Sequence, residues 1–533
     1  MILSCNIDIQ TGAVNGEGGN LPSARVAVIG AGMAGLTAAV DLARSGCEVV
    51  LFERAAAPGG KLRELNLGDA RLDAGPTVFT LRGVFDQLFA DAGDDLDRRL
   101  RLVPAKLLAR HAWSADARLD LYADLERTIE AIGSFAGLAD ARAYVRFMTH
   151  AKRVYATLDR SFMQASRPSP VELVRRVGLG GLADLWNIKP FVTLWQSVSR
   201  YFADPRLRQL FGRYATYCGS SPFGAPATLM LVAHVEQAGV WYVEGGMHRL
   251  VEQLAALAAR CGVTLRCATE ISEIHVRHGR VSAVQTADGE RFAVDAVVCN
   301  ADNNALATGL FGRDVSRAVR GTPAAARSLS AMTWNLLART GGFDLAHHSV
   351  FFSDDYRGEF DAIFRRGEIP SSPTIYVCAM DRQDDARPPA GRPERLFCLI
   401  NAPATGDTQN FEEAEVESCE CRVFQLLAGC GLQVDRRATP AKATTPADFH
   451  RLFPATGGAL YGPASHGWRA SFSRASSRSA VPGLYLAGGS THPGPGVPMA
   501  ATSGRLAAAA LMADCASIAR SRAVAMSGGT SMR

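Results

Sequence analysis

Apolar positions first fall into a regular pattern at Arg25. RVAVI (25–29) is a short β-branched run, GAGMAG (30–35) follows, LTAAVDLARSG (36–46) repeats with helical period, and EVVLFE (48–53) is again β-branched. The pattern predicts strand, tight turn, helix and strand. In EGGMHRLVEQLAALAARCG (244–262), Leu250, Leu254, Leu257 and Ala258 share one face, which predicts an amphipathic helix opened by glycines. VTLRCATEISEIHVR (263–277), VSAVQT (281–286) and ERFAVDAVVCN (290–300) alternate apolar and polar between glycine turns and read as strands. The last patterned stretch, LYLAGGSTHPGPGVPMAATSGRLAAAALMADC (484–515), reads as a strand, a glycine- and proline-dense turn and a helix of small residues. No internal repeat is visible.

Composition narrows the class. At 533 residues the chain exceeds one compact core. An apolar fraction of 47% with 20% charged residues excludes global disorder. No uncharged apolar run reaches about 18 residues, so membrane-spanning helices are not expected. A net charge of +5 is too small to suggest wholesale nucleic-acid binding. Twelve cysteines are scattered with no C-x-x-C pair, which argues against a bound metal or a disulfide framework. The first residues carry neither a basic region nor an apolar core of a signal peptide, so a cytoplasmic location is expected.

The glycine turn has a chemistry. Gly30 permits the tight turn, Gly32 lets the backbone approach a pyrophosphate, and Gly35 lets helix and strand pack closely. Met33 and Ala34 place free N–H groups and the positive end of the helix dipole at the phosphates. Glu53 ends the next strand, where a carboxylate accepts ribose hydroxyls. Arg54 follows, and then Gly59, Gly60 and Lys61, glycines and a cation that fit a loop returning to the diphosphate. Gly75, Pro76 and Thr77 continue toward an isoalloxazine ring. This spacing selects a flavin over a nicotinamide, with FAD as the expected cofactor. Ile271 is expected to lie against the adenine, Asn300 to return the chain to the cofactor, and Gly488, Pro498 and Met499 to face the flavin from the last turn and helix.

The expected fold class is α/β, a two-part FAD-binding, Rossmann-like domain of glutathione-reductase or amine-oxidase type, with an inserted substrate domain of mixed sheet and helical lid. Residues 25–95, 241–305 and 451–515 make the FAD-binding domain. Residues 96–240 make a helical, membrane-facing lid region and 306–450 the substrate domain. Residues 1–24 are expected as a flexible extension and 516–533 as a flexible tail. Residues 142–213 hold thirteen Lys and Arg against four acids, interleaved with aromatics that continue to Tyr242. That run reads either as a surface for a membrane interface or as a helical lid with core aromatics and solvated arginines.

GAGMAGL (30–36), FERAAAPGGK (52–61), LDAGPTVFT (72–80), HHSVFFSDDYRGEFD (347–361) and STHPGPGVPM (490–499) together resemble the bacterial carotenoid desaturases of the phytoene-desaturase type. The likeness spans residues 25–515. FPATGGALYG (453–462) and the HPGPGVPM variant are more similar to the 3,4-desaturases of hydroxylated or methoxylated carotenoids, the hydroxyneurosporene and methoxyneurosporene dehydrogenases. The resemblance implies an FAD enzyme, peripheral to the inner membrane, that places a C3–C4 double bond in a 1-hydroxy- or 1-methoxy-carotenoid by hydride transfer to the flavin. Oxygen or a quinone would then accept the electrons. The segment RAYVRFMTHAKRVY (142–155) is similar to the family's acid and base region, which nominates His150 and Lys152 as catalytic. Phytoene desaturase or another carotenoid oxidoreductase is the alternative, with amine oxidases and flavin-free prenyl-lipid carriers further off.

Overall fold

The computed structural model describes residues 24–165, 175, 191–384, 387–388, 392–435 and 441–527. The expectations for residues 1–23 and 528–533, and for most of the basic run between 166 and 190, lie outside the described residues.

The β-branched run Arg25–Ile29 is buried from its second residue onward and forms the middle of a five-stranded parallel sheet. Its neighbours are Glu48–Phe52 on one side and Ala296–Cys299 on the other, with Thr264–Arg266 and Leu484–Leu486 at the edges. Strands buried on both faces need continuous apolar sequence, which AVVC (296–299) supplies. The stretch 263–277 is two strands instead of one. Thr264–Arg266 joins the parallel sheet, and the chain turns at Ala268, where φ is 50°, before Ile271–Arg277 begins a three-stranded antiparallel sheet.

Helices cover the parallel sheet. Met33–Arg44 packs against Val497–Ser527, and Thr37 Oγ1 donates to the Ala501 carbonyl at 3.0 Å. A Cβ on Gly504 would stand 2.1 Å from the Ala34 carbonyl oxygen, so the two backbones touch there. Arg505, 7% exposed, pairs with Asp41 of the first helix at 2.9 Å and with Asp91 at the end of the helix Gly83–Asp91. The last helix does not stop at Cys515 but runs to Ser527, because its alanines and arginines are strong helix formers.

Residues 330–444 supply most of an eight-stranded sheet whose long strand Ser330–Gly342 pairs with Glu394–Ala402, Leu432–Asp435 and Ala441–Thr444. Its far edge comes from an earlier part of the chain, since Leu107–Ala112 runs parallel to His348–Phe351 and carries Arg118–Tyr122 beside it. Helices Leu138–Leu158, Leu194–Tyr201, Pro205–Gly212 and Leu231–Ala238 cap this end. Their aromatics are core. Phe147, Phe202 and Phe211 are each about 1% exposed or less and pack ring on ring at 4.8–5.4 Å. For these rings, the core reading of the aromatic run is the one the packing bears out.

Candidate active site

The glycine turn is built as a cradle. Gly30 takes a φ of 93°, and a Cβ on Gly35 would stand 1.9 Å from the Gly30 carbonyl oxygen. The helix can therefore lie this close to the strand only with hydrogen at position 35. Asn300, at the end of the neighbouring strand, donates its side-chain amide to the Gly30 carbonyl at 3.1 Å. A Cβ on Gly32 would come within 2.9 Å of that same amide nitrogen. Glu53 accepts from the Ala31 amide at 2.7 Å and from the Ala55 amide at 2.9 Å, which fixes its carboxylate beside the turn. The second glycine loop lies on the first through the Gly59 amide, which donates to the Ala31 carbonyl at 2.9 Å.

Lys61 is half-buried and donates to the Leu460 carbonyl at 2.6 Å. Burial pulls its amine below the usual lysine range. Arg54 donates to the Leu452 carbonyl at 2.6 Å and lies 3.8 Å from Glu270. Arg474 is buried and ties three loops together through the carbonyls of Tyr461, Gly489 and Pro463, at 2.9–3.1 Å. These contacts draw segments from across the chain onto one opening.

That opening is a cavity of about 910 Å³, the size of a cofactor or drug-sized pocket. Of the eighteen residues expected at the cofactor, seventeen line it. They are Gly30, Gly32, Met33, Ala34, Glu53, Arg54, Gly59, Gly60, Lys61, Gly75, Pro76, Thr77, Ile271, Asn300, Gly488, Pro498 and Met499. Gly35 stands behind the wall, in the helix–strand contact. The first turns of two helices, at Met33–Ala34 and Val497–Ala500, line the cavity, where the positive end of a helix dipole favours an anion. Gly32, which a side chain would press into Asn300, leaves backbone within reach of a diphosphate, and the residues present fit FAD.

The same cavity continues past the cradle into an apolar arm. Leu158, Phe162, Met163, Leu229, Val232 and Leu399 line it. No catalytic triad is needed for what such a space can do. Removing a hydride and a proton beside a conjugated chain requires a dry, shaped site more than a strong base.

His150 and Lys152 do not reach this cavity. They sit on the helix Leu138–Leu158, where Lys152 is exposed and His150 Nδ1 is 2.8 Å from the Tyr201 hydroxyl. This corrects the expectation of a base on that helix, whose cavity side is apolar and ends in Leu158. His492 is buried below the flavin turn, with Nε2 2.9 Å from the Phe162 carbonyl, and burial pushes its pKa down to about 4. A neutral ring there braces the turn. His347, His348 and Cys378 bring their ligand atoms within 4.8 Å of one another, a grouping invisible to a search for paired cysteines.

Sequence reasoning missed a polar group in the wall of the apolar arm. Tyr217 donates to Glu236, which also accepts from Tyr214 at 2.7 Å. Arg213 lies beside them, 5.4 Å from the Tyr217 ring and 5.8 Å from the Tyr376 ring. The Tyr376 hydroxyl is 2.6 Å from Thr77 Oγ1, on the expected cofactor loop. Arg213 and its tyrosines had been visible in the sequence only as members of the basic aromatic run.

A family model described as flavin containing amine oxidoreductase matches residues 33–512. Hydroxyneurosporene desaturase of Rubrivivax gelatinosus is 53% identical over 510 residues, covering 96% of this chain and 97% of that protein. The 1-hydroxycarotenoid 3,4-desaturase of Flavobacterium sp. (strain P99-3) is 31% identical, covering 90% of this chain and 97% of its own. Among solved structures, cyclohexylamine oxidase from Brevibacterium oxydans superposes with a TM-score of 0.56 at 14% identity, covering 93% of this chain and all of that one. At that identity the likeness is one of fold.

Proposed function

The chain belongs to the flavin-containing amine oxidoreductases, in their carotenoid-desaturase branch, and from that premise we propose that it introduces the C3–C4 double bond into a 1-hydroxy- or 1-methoxy-carotenoid. The enzyme is an FAD-dependent oxidoreductase. The observation that carries the substrate reading is the 53% identity to a hydroxyneurosporene desaturase over nearly both chains. The continuity of cofactor cradle and apolar arm in one cavity supports it.

FAD, when bound, supplies the hydride acceptor. The protein's part is to bind, orient and keep the site dry. The two glycine loops and Glu53 hold the dinucleotide, and Asn300 braces the first loop from behind. The apolar arm aligns the polyene. Burial yields about 25 cal/mol per Å² of apolar area, so shape alone retains a long hydrocarbon. The proton leaves a carbon flanked by conjugation, where the developing charge is delocalised and a weak acceptor suffices.

Delivery of so insoluble a substrate requires contact with lipid. Among the described residues no helix is long and apolar enough to cross a membrane. A peripheral contact at the cytoplasmic face of the inner membrane fits two surface features. Phe191 and Trp468 are exposed and pack edge to face at 5.4 Å, with Arg469 over the Trp468 ring. The helix Leu138–Leu158 presents Arg142, Arg146 and Arg153 together with exposed Leu138 and Val145. Oxygen or a membrane quinone completes the cycle as electron acceptor.

The test is anaerobic. FAD-loaded protein in liposomes receives 1-hydroxyneurosporene, its methyl ether or phytoene, while flavin bleaching and product chromatography are followed. Bleaching with a red-shifted product from the oxygenated carotenoids alone is expected. Turnover of phytoene alone would move the activity to the other end of the pathway chemistry, and no bleaching with any of them would sink the carotenoid reading.

A further inference from the structure

A hydrocarbon substrate gives no reason for charge in the wall of its own tunnel, yet Arg213 and Glu236 both line the cavity. Neither belongs to the dinucleotide cradle. Glu236 comes from the helix Leu231–Ala238, and Arg213 and Tyr217 from the single 3-10 turn Arg213–Cys218. Arg213 meets no carboxylate directly among the described residues. Tyr217 links the two charges, its ring 5.4 Å from the Arg213 guanidinium and its hydroxyl donating to Glu236. Taking both ions out of water is expensive, and it persists in folded proteins where the charges are paired or have a partner to bind.

Resting on the carotenoid reading above, we propose that Arg213, Tyr217 and Glu236 form a polar subsite for the oxygen at C1 of the substrate. Position supports this. The oxygen of a 1-hydroxy- or 1-methoxy-carotenoid is attached only two carbons from C3, so its partner must sit next to the reacting bond. The cluster does so, since Arg213 packs on Tyr376 and the Tyr376 hydroxyl touches Thr77 of the cofactor loop. Electrostatics agree, for burial works against the Arg213 charge but Tyr217 and Glu236 outweigh it, leaving its pKa above the ordinary arginine value. A permanent donor therefore faces the tunnel.

The chemistry also ranks the ligands. Hydroxyl and ether oxygens both accept from a guanidinium or a phenol, whereas only a hydroxyl returns a proton toward Glu236 or the Tyr217 oxygen. An unsubstituted end leaves the subsite buried and unanswered, which a site built for an oxygen discriminates against strongly. Hydrogen bonds to a charged group correspond to about 10- to 100-fold in specificity.

The experiment compares wild type, Tyr217→Phe and Arg213→Gln on 1-hydroxyneurosporene, its methyl ether and neurosporene. It measures kcat/KM by single-turnover flavin reduction and Kd by perturbation of the flavin spectrum. The expected result is that the preference for 1-hydroxyneurosporene over neurosporene falls by about 10- to 100-fold in both variants. Tyr217→Phe removes a single oxygen, so it carries the test if Arg213→Gln fails to retain FAD. An unchanged preference, with all three substrates affected alike or not at all, overturns the subsite while leaving the desaturase intact. If no carotenoid perturbs or reduces the wild-type flavin, the substrate reading falls and the subsite falls with it.

Discussion

Replacing Gly35 by alanine sets two effects against each other. In an exposed helix, glycine to alanine stabilises by up to about 1 kcal/mol. Here the new Cβ would stand 1.9 Å from the Gly30 carbonyl oxygen. Carbon–oxygen contacts settle near about 3.3 Å, so the helix must retreat by more than about 1 Å. Overpacking of that kind costs about 1–3 kcal/mol. The retreat also withdraws the N–H groups of Met33 and Ala34 from the phosphates, where each unit of helix-terminus attraction is about 0.3–2 kcal/mol. Steric loss wins over propensity, and the FAD dissociation constant is expected to rise about 10- to 100-fold. Fluorescence titration of the apoprotein with FAD measures it. Gly46→Ala is the control, because Gly46 also has a positive φ of 86° but nothing within 4 Å of its would-be Cβ. It should lose stability without losing FAD. Wild-type FAD affinity in Gly35→Ala, or an equal loss in Gly46→Ala, would refute the close-packing argument.

Two further substitutions probe buried charge. Arg505→Met leaves Asp41 and Asp91 without their shared partner and should destabilise by about 3–5 kcal/mol at pH 7. Burial already raises the Asp41 pKa, and without Arg505 it rises further, so protonation favours the folded state. The deficit should therefore shrink as pH falls toward 4; urea midpoints showing the same deficit at pH 7 and 5 would count against it. Glu359 is buried against Thr374 and Asn401, and burial pushes its pKa up to about 7 from 4.5. Its proton is held by the folded state and lost by the unfolded one between those values, so this group lowers stability as pH rises from 4.5 to 7. Glu359→Gln should match wild type near pH 4.5 and exceed it by up to about 3 kcal/mol at pH 8. Parallel pH–stability curves for the two proteins would contradict this.

The cofactor cradle was legible because its information is local and periodic. Strand, glycines, helix and Glu53 follow one another within thirty residues; Gly30 takes a positive φ, and Gly32 and Gly35 answer contacts too close for a side chain. The chain ends of the remote strands, Asn300 and Gly488, could be read because they too lie where β-branched runs stop at glycine or a small residue. The catalytic nominations fall away from the cavity for the opposite reason. His150 and Lys152 were chosen on chemistry and a segment likeness, while the side of their helix that faces the cavity is decided by packing among Phe147, Phe202 and Phe211. Arg213, Tyr217 and Glu236 are separated by up to 23 residues and meet only because a 3-10 turn and a helix are packed together. Nothing in their spacing marks that meeting: Arg213 and Tyr217 are absorbed into a run of basic and aromatic residues, and Glu236 carries no signal of its own.

The order of the parallel sheet has a consequence for biosynthesis. Its central strand is Arg25–Ile29, but the neighbour of Ala296–Cys299 on the outer side is Leu484–Leu486, and the helix that closes the cavity begins only at Val497. At elongation rates of about 5–20 residues per second, on the order of half a minute or more separates emergence of the first strand from emergence of the last. Through that interval the nascent chain carries an open sheet edge and an uncovered apolar surface, the condition under which chaperones are recruited. The cavity that fits FAD is therefore complete only once the segment from Leu484 onward has been made.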